Sequence, residues 1–253
     1  MSEELKTRWH TVWIIGASSG TGAALGQLFA KAGARVIISA RRTEKLNTLA
    51  ALNPSLYPLP LDVADTRSIM HALLTLEEQS LLPDLTIYCA AVYEPGGVEA
   101  LTFKEAERHM RINYLGVVGV IEALLPKLKQ KGRGGIAIVS SLTSYCGLPM
   151  AAFYGPTKAA LASLCETLKP EFDRMGLDLY LINPGFIDTQ LTRKNAFDMP
   201  FLMSADEAAF RIFKGVERSA FEIAFPARLA LGLRLMRLLP YRLFFKLTGR
   251  MLS

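Results

Sequence analysis

Cysteine and histidine are scarce in this chain of 253 residues: there are three of each, Cys89, Cys146 and Cys165 against His10, His71 and His109. Their spacings match neither a disulfide framework nor a ligand cluster, so the expectation is a reducing compartment and no metal site. The opening residues, MSEELKTRWHTVWIIGAS, lack the basic start, long apolar stretch and small-residue cleavage site of a secretory signal. A cytoplasmic location is expected. No Pro/Gly/Ser linker, low-complexity segment or repeat divides the chain, which implies one domain over residues 1–226. Acidic residues are missing from residues 227–253, where Arg228, Arg234, Arg237, Arg242, Lys246 and Arg250 stand. Without those six, the remainder holds 23 basic against 23 acidic residues. The net charge of +6 therefore belongs to the tail, and the body offers no basic surface for nucleic acid.

What is present is an alternation. Apolar runs rich in β-branched residues fall at 11–17, 34–40, 56–63, 85–91, 135–141, 177–185 and 221–226. Helical periodicity occupies 20–32, a stretch opening at Thr43 as cap, 66–80, 102–130 and 152–175. Continuous apolar strands alternating with helices predict an α/β fold, a doubly wound parallel sheet of about seven strands covered on both faces.

The first strand runs into GASSGTG, with Gly16, Gly20 and Gly22 before a helix. Glycines there let backbone approach a pyrophosphate, whose charge the helix N-terminus favours. The spacing differs from G-x-G-x-x-G, and the loop alone also fits an ordinary glycine-rich turn. At the end of the second strand, where an acid would bind a ribose 2′-hydroxyl, the chain carries Ala40, Arg41 and Arg42. Guanidinium groups suit a 2′-phosphate, which favours NADP(H) over NAD(H). Exposed loop arginines would give the same pattern.

GASSGTG, LDV, RINYLG, SS, YGPTK and NPG, in that order and spacing, resemble the short-chain dehydrogenase/reductase family over roughly residues 11–226. The resemblance implies a catalytic tetrad of Asn113, Ser141, Tyr154 and Lys158. It also implies cofactor contacts from Gly16, Ser18, Ser19, Gly20, Thr21 and Gly22 of the loop, from Asp62 and Val63, and from Ala90 and Ala91. Pro184, Gly185, Ile187 and Thr189 would face the nicotinamide end, with Tyr154 and Lys158 at its ribose. One element departs: the family's Asn-Asn-Ala-Gly is replaced by Tyr88-Cys89-Ala90-Ala91. A change in local stability or site shape is expected from it. The family's usual assembly implies a homo-oligomer, a dimer or tetramer through the helices holding Asn113 and Tyr154.

The chemistry accounts for the residue types. A tyrosine ionises near ~10 when unperturbed, too high for a base at neutral pH. A lysine one turn away on the same face, together with the positive nicotinamide of the oxidised cofactor, would favour the phenolate and bring the pKa nearer the working range. Ser141 would hydrogen-bond a carbonyl oxygen as charge develops. Hydride transfer between nicotinamide and a small-molecule carbonyl or alcohol follows.

The segment after the Pro-Gly loop carries Phe186, Ile187, Leu191, Phe197, Met199, Phe201, Leu202 and Met203. It reads equally as a lid over an apolar or lipid-like substrate, or as a loop packing on a helix opened by Ser204 and Glu207. The tail, residues 227–253, reads as two short amphipathic helices broken at Pro240, too interrupted by charge to span a membrane. Contact with the inner face of a membrane is one reading, and packing on the core or a second subunit is the other. The functional alternatives are a soluble ketoreductase of fatty-acid or polyketide type, and a dinucleotide sensor without turnover.

Overall fold

Seven short segments dominated by Val, Ile, Leu and aromatic residues form the strands: β1 (Thr11–Ile15), β2 (Arg35–Ala40), β3 (Leu56–Pro60), β4 (Leu85–Tyr88), β5 (Gly135–Val139), β6 (Asp178–Pro184) and β7 (Glu222–Phe225). The computed structural model describes residues 5–195 and 197–252. All strand pairs are parallel, in the order β3-β2-β1-β4-β5-β6-β7. The chain starts at β1, winds outward to β3, returns beside β1 with β4 and winds the other way. That reversal leaves a crevice beyond the carboxyl ends of β1 and β4, the usual ligand position in such sheets.

Side chains alternate across the sheet as strand geometry requires. Val12 and Ile14 of β1 meet Leu25 and Phe29 of α1 (Gly20–Lys31), Leu46 of α2 (Thr43–Leu52) and Ile212 and Phe213 of α7 (Ala205–Glu217). Trp13 and Ile15 meet the opposite layer. It is built from α3 (Thr66–Glu78), α5 (Gly116–Lys131) and α6 (Tyr154–Arg174), through Ile69, Leu73, Val120, Leu124, Leu161 and Phe172. The expected doubly wound, two-faced architecture is the one observed.

One local expectation is corrected. Thr43 does not cap α2; it lies inside the helix, Arg42 holds the cap position, and no side chain caps that end. The helix expected over 102–130 is present, with a change of geometry inside it. It divides into α4 (Phe103–Met110), a π-helical turn at Arg111–Leu115 and α5. The Tyr88 hydroxyl, from the end of β4, donates to the Ile112 carbonyl at 2.6 Å inside that turn. A π turn carries one extra residue and often marks a functional site. Here it carries Asn113.

Residues 227–252 contain α8 (Ala227–Arg237) and α9 (Tyr241–Gly249), with Pro240 at the start of α9 as expected. Ala230, Leu233 and Phe244 pack on Leu142 and Cys146, so core packing holds for the inner face of the tail. Among the described residues, no helix is long and apolar enough to cross a membrane.

The Tyr88 hydroxyl lies where a side chain on Gly116 would go: a Cβ there would be 2.3 Å from it and 3.1 Å from the Val63 carbonyl. Gly116→Ala is therefore expected to destabilise by about 1–3 kcal/mol through overpacking. In a Tyr88→Phe background the penalty should shrink, because the obstructing oxygen is gone. Urea unfolding of the four chains of this cycle measures the coupling. Additive effects would refute the packing account.

Candidate active site

The loop joining β1 to α1 lies in the crevice. Gly16 has φ +93°, and a Cβ on it would sit 2.5 Å from the Ala90 nitrogen, so the loop closes against the chain leaving β4. Gly22 is as tight, its Cβ position 2.4 Å from the Gly16 carbonyl oxygen. Gly20, at φ +56°, begins α1, and Ser19 occupies the cap without using its side chain. Arg42 reaches over from the end of β2. Its guanidinium donates to Ser18 Oγ at 2.8 Å and to Ser19 Oγ at 2.7 Å. Arg41 is exposed beside it, and Thr21 lies in the first turn of α1. Asp62 Oδ1 accepts the Ala64 N–H at 3.0 Å, and Val63 backs onto Gly116.

The four residues expected to act together are drawn from three elements. Asn113, fully buried in the π turn, accepts the Val92 N–H at 2.8 Å. Its Nδ2 donates to the Val92 carbonyl at 3.0 Å and to Thr157 Oγ1 at 3.1 Å. Ser141 follows β5, its Oγ accepts the Thr143 N–H at 3.2 Å, and it lies close enough to Tyr154 to favour the ionised phenol. Tyr154 opens α6, and Lys158 stands one turn on, its Nζ 5.2 Å from the centre of the Tyr154 ring. That ammonium nitrogen donates to the Val139 carbonyl at 2.8 Å, at the end of β5. Ser140 Oγ donates to the Lys158 carbonyl at 2.9 Å and locks α6 onto the same strand end.

Burial governs the ionisation of the pair. It pushes the Tyr154 phenol above its ordinary range, against the opposing pull of Ser141. It lowers Lys158 to about 7, with Cys89 pulling weakly the other way. Desolvation alone favours the neutral form of both groups, and one of the three donors of the Lys158 ammonium goes to the Val139 carbonyl.

The sequence model of the short chain dehydrogenases matches residues 10–199, three quarters of the chain. The chain belongs to the short-chain dehydrogenase/reductase family. It is 31% identical over 240 residues to an uncharacterized oxidoreductase of Myxococcus xanthus, covering 93% of this chain and 95% of that one. It is 33% identical to a dehydrogenase/reductase SDR family protein 7-like of Drosophila melanogaster, over 72% of this chain but 58% of that longer one. Among solved structures, a short-chain dehydrogenase from Streptomyces avermitilis superposes with a TM-score of 0.83 at 25% identity, over 96% of this chain and 97% of that one. One from Sphingobium yanoikuyae in complex with NADPH gives 0.81 at 25% identity, over 90% and 92%.

This family of oxidoreductases uses nicotinamide cofactors, and the crevice fits one. Gly16 and Gly22 leave no room for side chains, so the loop packs tightly on its own backbone and on the chain leaving β4 ahead of the N-terminus of α1. Ala90 and Ala91 keep the next loop small, and Pro184 ends β6 with Gly185 behind it. Ile187 is buried and pairs with Met203, while Thr189 lies against the glycine loop, its methyl 3.1 Å from the Gly20 Cβ position.

The family's missing asparagines have a structural answer. Tyr88 holds the π turn through its hydroxyl, and Cys89 is half-buried near Lys158, desolvation pushing its thiol up to about 12. Three further residues escaped sequence reasoning. Thr157 Oγ1 accepts from the Asn113 amide and donates to the Tyr154 carbonyl at 2.7 Å. Tyr93 stands edge-on to Tyr154 with ring centres 5.1 Å apart, and donates to Asn195, in the segment after the Pro-Gly loop, at 2.5 Å. Asn183, fully buried, accepts from Ser144 Oγ at 3.3 Å and donates to Glu222 at 2.8 Å. Its place before Pro184–Gly185 in NPG was the available signal. For Tyr93 there was none.

A depressed lysine pKa has a stability consequence. The folded protein binds fewer protons than the unfolded chain between about 7 and the ordinary lysine value. Stability gained from Lys158 deprotonation therefore rises with pH across that window, and the cost of the buried charge is full below it. Lys158→Met is expected to raise Tm most at pH 6 and progressively less toward pH 10, in cofactor-free protein. Thermal unfolding against pH checks this; a difference independent of pH would show that Lys158 is not held near neutrality.

Proposed function

We propose that this chain is an NADP(H)-dependent reductase of apolar carbonyl compounds, reversible as an alcohol dehydrogenase. The observation that carries the proposal is the convergence of Ser141, Tyr154 and Lys158 at the carboxyl edge of the sheet, next to the glycine loop. The cofactor, when bound, supplies the hydride that a carbonyl carbon accepts. Tyr154 Oη gives a proton to the carbonyl oxygen, a role that the phenol's retained proton suits. Ser141 Oγ hydrogen-bonds the same oxygen as charge grows on it. Lys158 Nζ, poised at about 7, can exchange protons near neutral pH and restore the phenol. Asn113 is a positioning residue: its side chain is committed to Val92 and Thr157.

Arg42 supports the preference for NADP(H). It carries a guanidinium to Ser18 and Ser19 at the loop, where a 2′-phosphate would accept paired donors. The Sphingobium yanoikuyae neighbour, solved with NADPH, supports the same reading. For the substrate, Phe197, Phe201 and Leu202 of the segment after the Pro-Gly loop stay exposed. Ile187 and Met203 anchor that segment in the core, and Asn195 ties it to Tyr93 beside Tyr154. Exposed apolar side chains on a segment tied to the catalytic tyrosine favour an apolar carbonyl.

The test is consumption of NADPH and NADH, in parallel, over aldehydes and ketones of rising chain length. Tyr154→Phe is expected to lower kcat by roughly 10²–10⁴-fold. Turnover indifferent to that change would sink the mechanism. Arg42→Ala is expected to lower kcat/KM for NADPH by roughly 10–100-fold, the worth of charge-assisted hydrogen bonds, and to leave NADH nearly unaffected. Equal losses with both cofactors would place the recognition of the 2′-phosphate elsewhere.

A further inference from the structure

The inner face of α8 and α9 is accounted for by its packing on Leu142 and Cys146; the outer face is not. Leu231 and Leu235 of α8 and Leu238 just after it are exposed, Leu238 at 79%. On α9, Tyr241, Leu243 and Phe245 are exposed too, and Tyr241 stacks on Phe245 with ring centres 5.4 Å apart. Leaving this much apolar surface bare on two adjoining helices is unusual for a soluble face.

The charge around it has one sign. Arg228, Arg237, Arg242 and Lys246 are exposed, and among the described residues none of them pairs with a carboxylate. Arg242 and Lys246 are one turn apart, on the line of α9 opposite the buried Phe244 and Thr248. Leu243 and Phe245 stand at either shoulder of that line. Long cationic side chains there can lay their stems along apolar surface while the charged ends reach outward.

We infer that the outer face of α8 and α9 docks on a lipid bilayer bearing anionic headgroups. A second copy of the chain is a poor occupant. A two-fold contact through this face would set the same cations against each other, and residues 227–253 contain no acid to offset them. An anionic bilayer satisfies both halves of the surface: phosphate groups meet the arginines and lysine, and the acyl layer takes the leucines and aromatic rings. The contact also bears on the active site. Leu229 of α8 approaches Gly185, its Cδ2 3.3 Å from where a Cβ would be, and the helix pair lies against the loop after Ser141. Docking would set the mouth of the catalytic crevice beside the lipid, so that an apolar carbonyl could enter from the bilayer; this last step rests on the reductase reading above.

The experiment is co-sedimentation of the full chain with vesicles of phosphatidylcholine alone or mixed with phosphatidylglycerol. Binding is expected to the mixed vesicles, to fall as salt is raised, and to be weak or absent with phosphatidylcholine alone. Removing each cation should weaken it about fivefold, so Arg242→Gln with Lys246→Gln should release most of the protein. Leu235→Ser with Phe245→Ser should also release it while leaving Tm unchanged. If the chain stays in solution with mixed vesicles, or both double variants bind as the parent does, the inference fails. It fails too if ultracentrifugation finds a dimer that Leu235→Ser dissociates. Turnover of a short, water-soluble carbonyl is read on every variant. Intact turnover with no vesicle binding refutes the docking alone, whereas absent turnover with binding retained refutes the reductase reading alone.

Discussion

One carboxamide holds the catalytic region in place. Asn113 grips both the N–H and the carbonyl of Val92, as a strand neighbour would, and spends its remaining donor on Thr157. The loop leaving β4, the π turn and the first turn of α6 are thereby joined through a side chain with no exposed surface. Each of its hydrogen bonds is made away from water, where leaving a polar partner unsatisfied costs about 1–3 kcal/mol. Tyr154 starts the helix that this clamp positions. The distance from Tyr154 to Ser141 depends on it, and so does the depth at which Lys158 is buried.

A second constraint comes from the strand end. Val139 and Ser140 bind α6 from below, one receiving the lysine and the other bonding its carbonyl. Lys158 is therefore an internal part of the fold as well as a chemical group, and its low pKa follows from that packing. Keeping a titratable amine in a dry site carries a standing cost in stability, which is a common signature of functional positions.

The doubly wound sheet was legible because its signals are local. Strand composition, helical period and the order of GASSGTG, RINYLG and YGPTK all lie within short windows, and the residues they contain do meet in the crevice. What was not legible depends on distant partners. The π turn leaves the apolar period of residues 102–130 undisturbed, and it is recognised only by the Tyr88 hydroxyl on a strand 24 residues earlier. Tyr93 and Asn195 are 102 residues apart, and Asn183 and Glu222 are 39 apart, with no spacing rule linking either pair. Thr43 failed as a cap for a related reason: Arg42, whose guanidinium reaches the serines of the glycine loop, holds the cap position, so the helix starts one residue earlier than the cap chemistry of Thr43 implied.

Glu222 gathers the far side of the catalytic loop to itself. Arg234 of α8 forms an ion pair with it, Tyr145 and Asn183 both donate to it, and Asn183 in turn holds Ser144. A chain shortened at residue 226 would lose the only ion-pair partner that the described residues give this carboxylate, and it would uncover Leu142 and Cys146 in the same stroke. The last two helices are thus a structural wall of the enzyme on one side and a free surface on the other. Deleting them would injure catalysis for reasons unrelated to where the protein resides, so the two roles separate only when the outward side chains are exchanged and the inward ones are left alone.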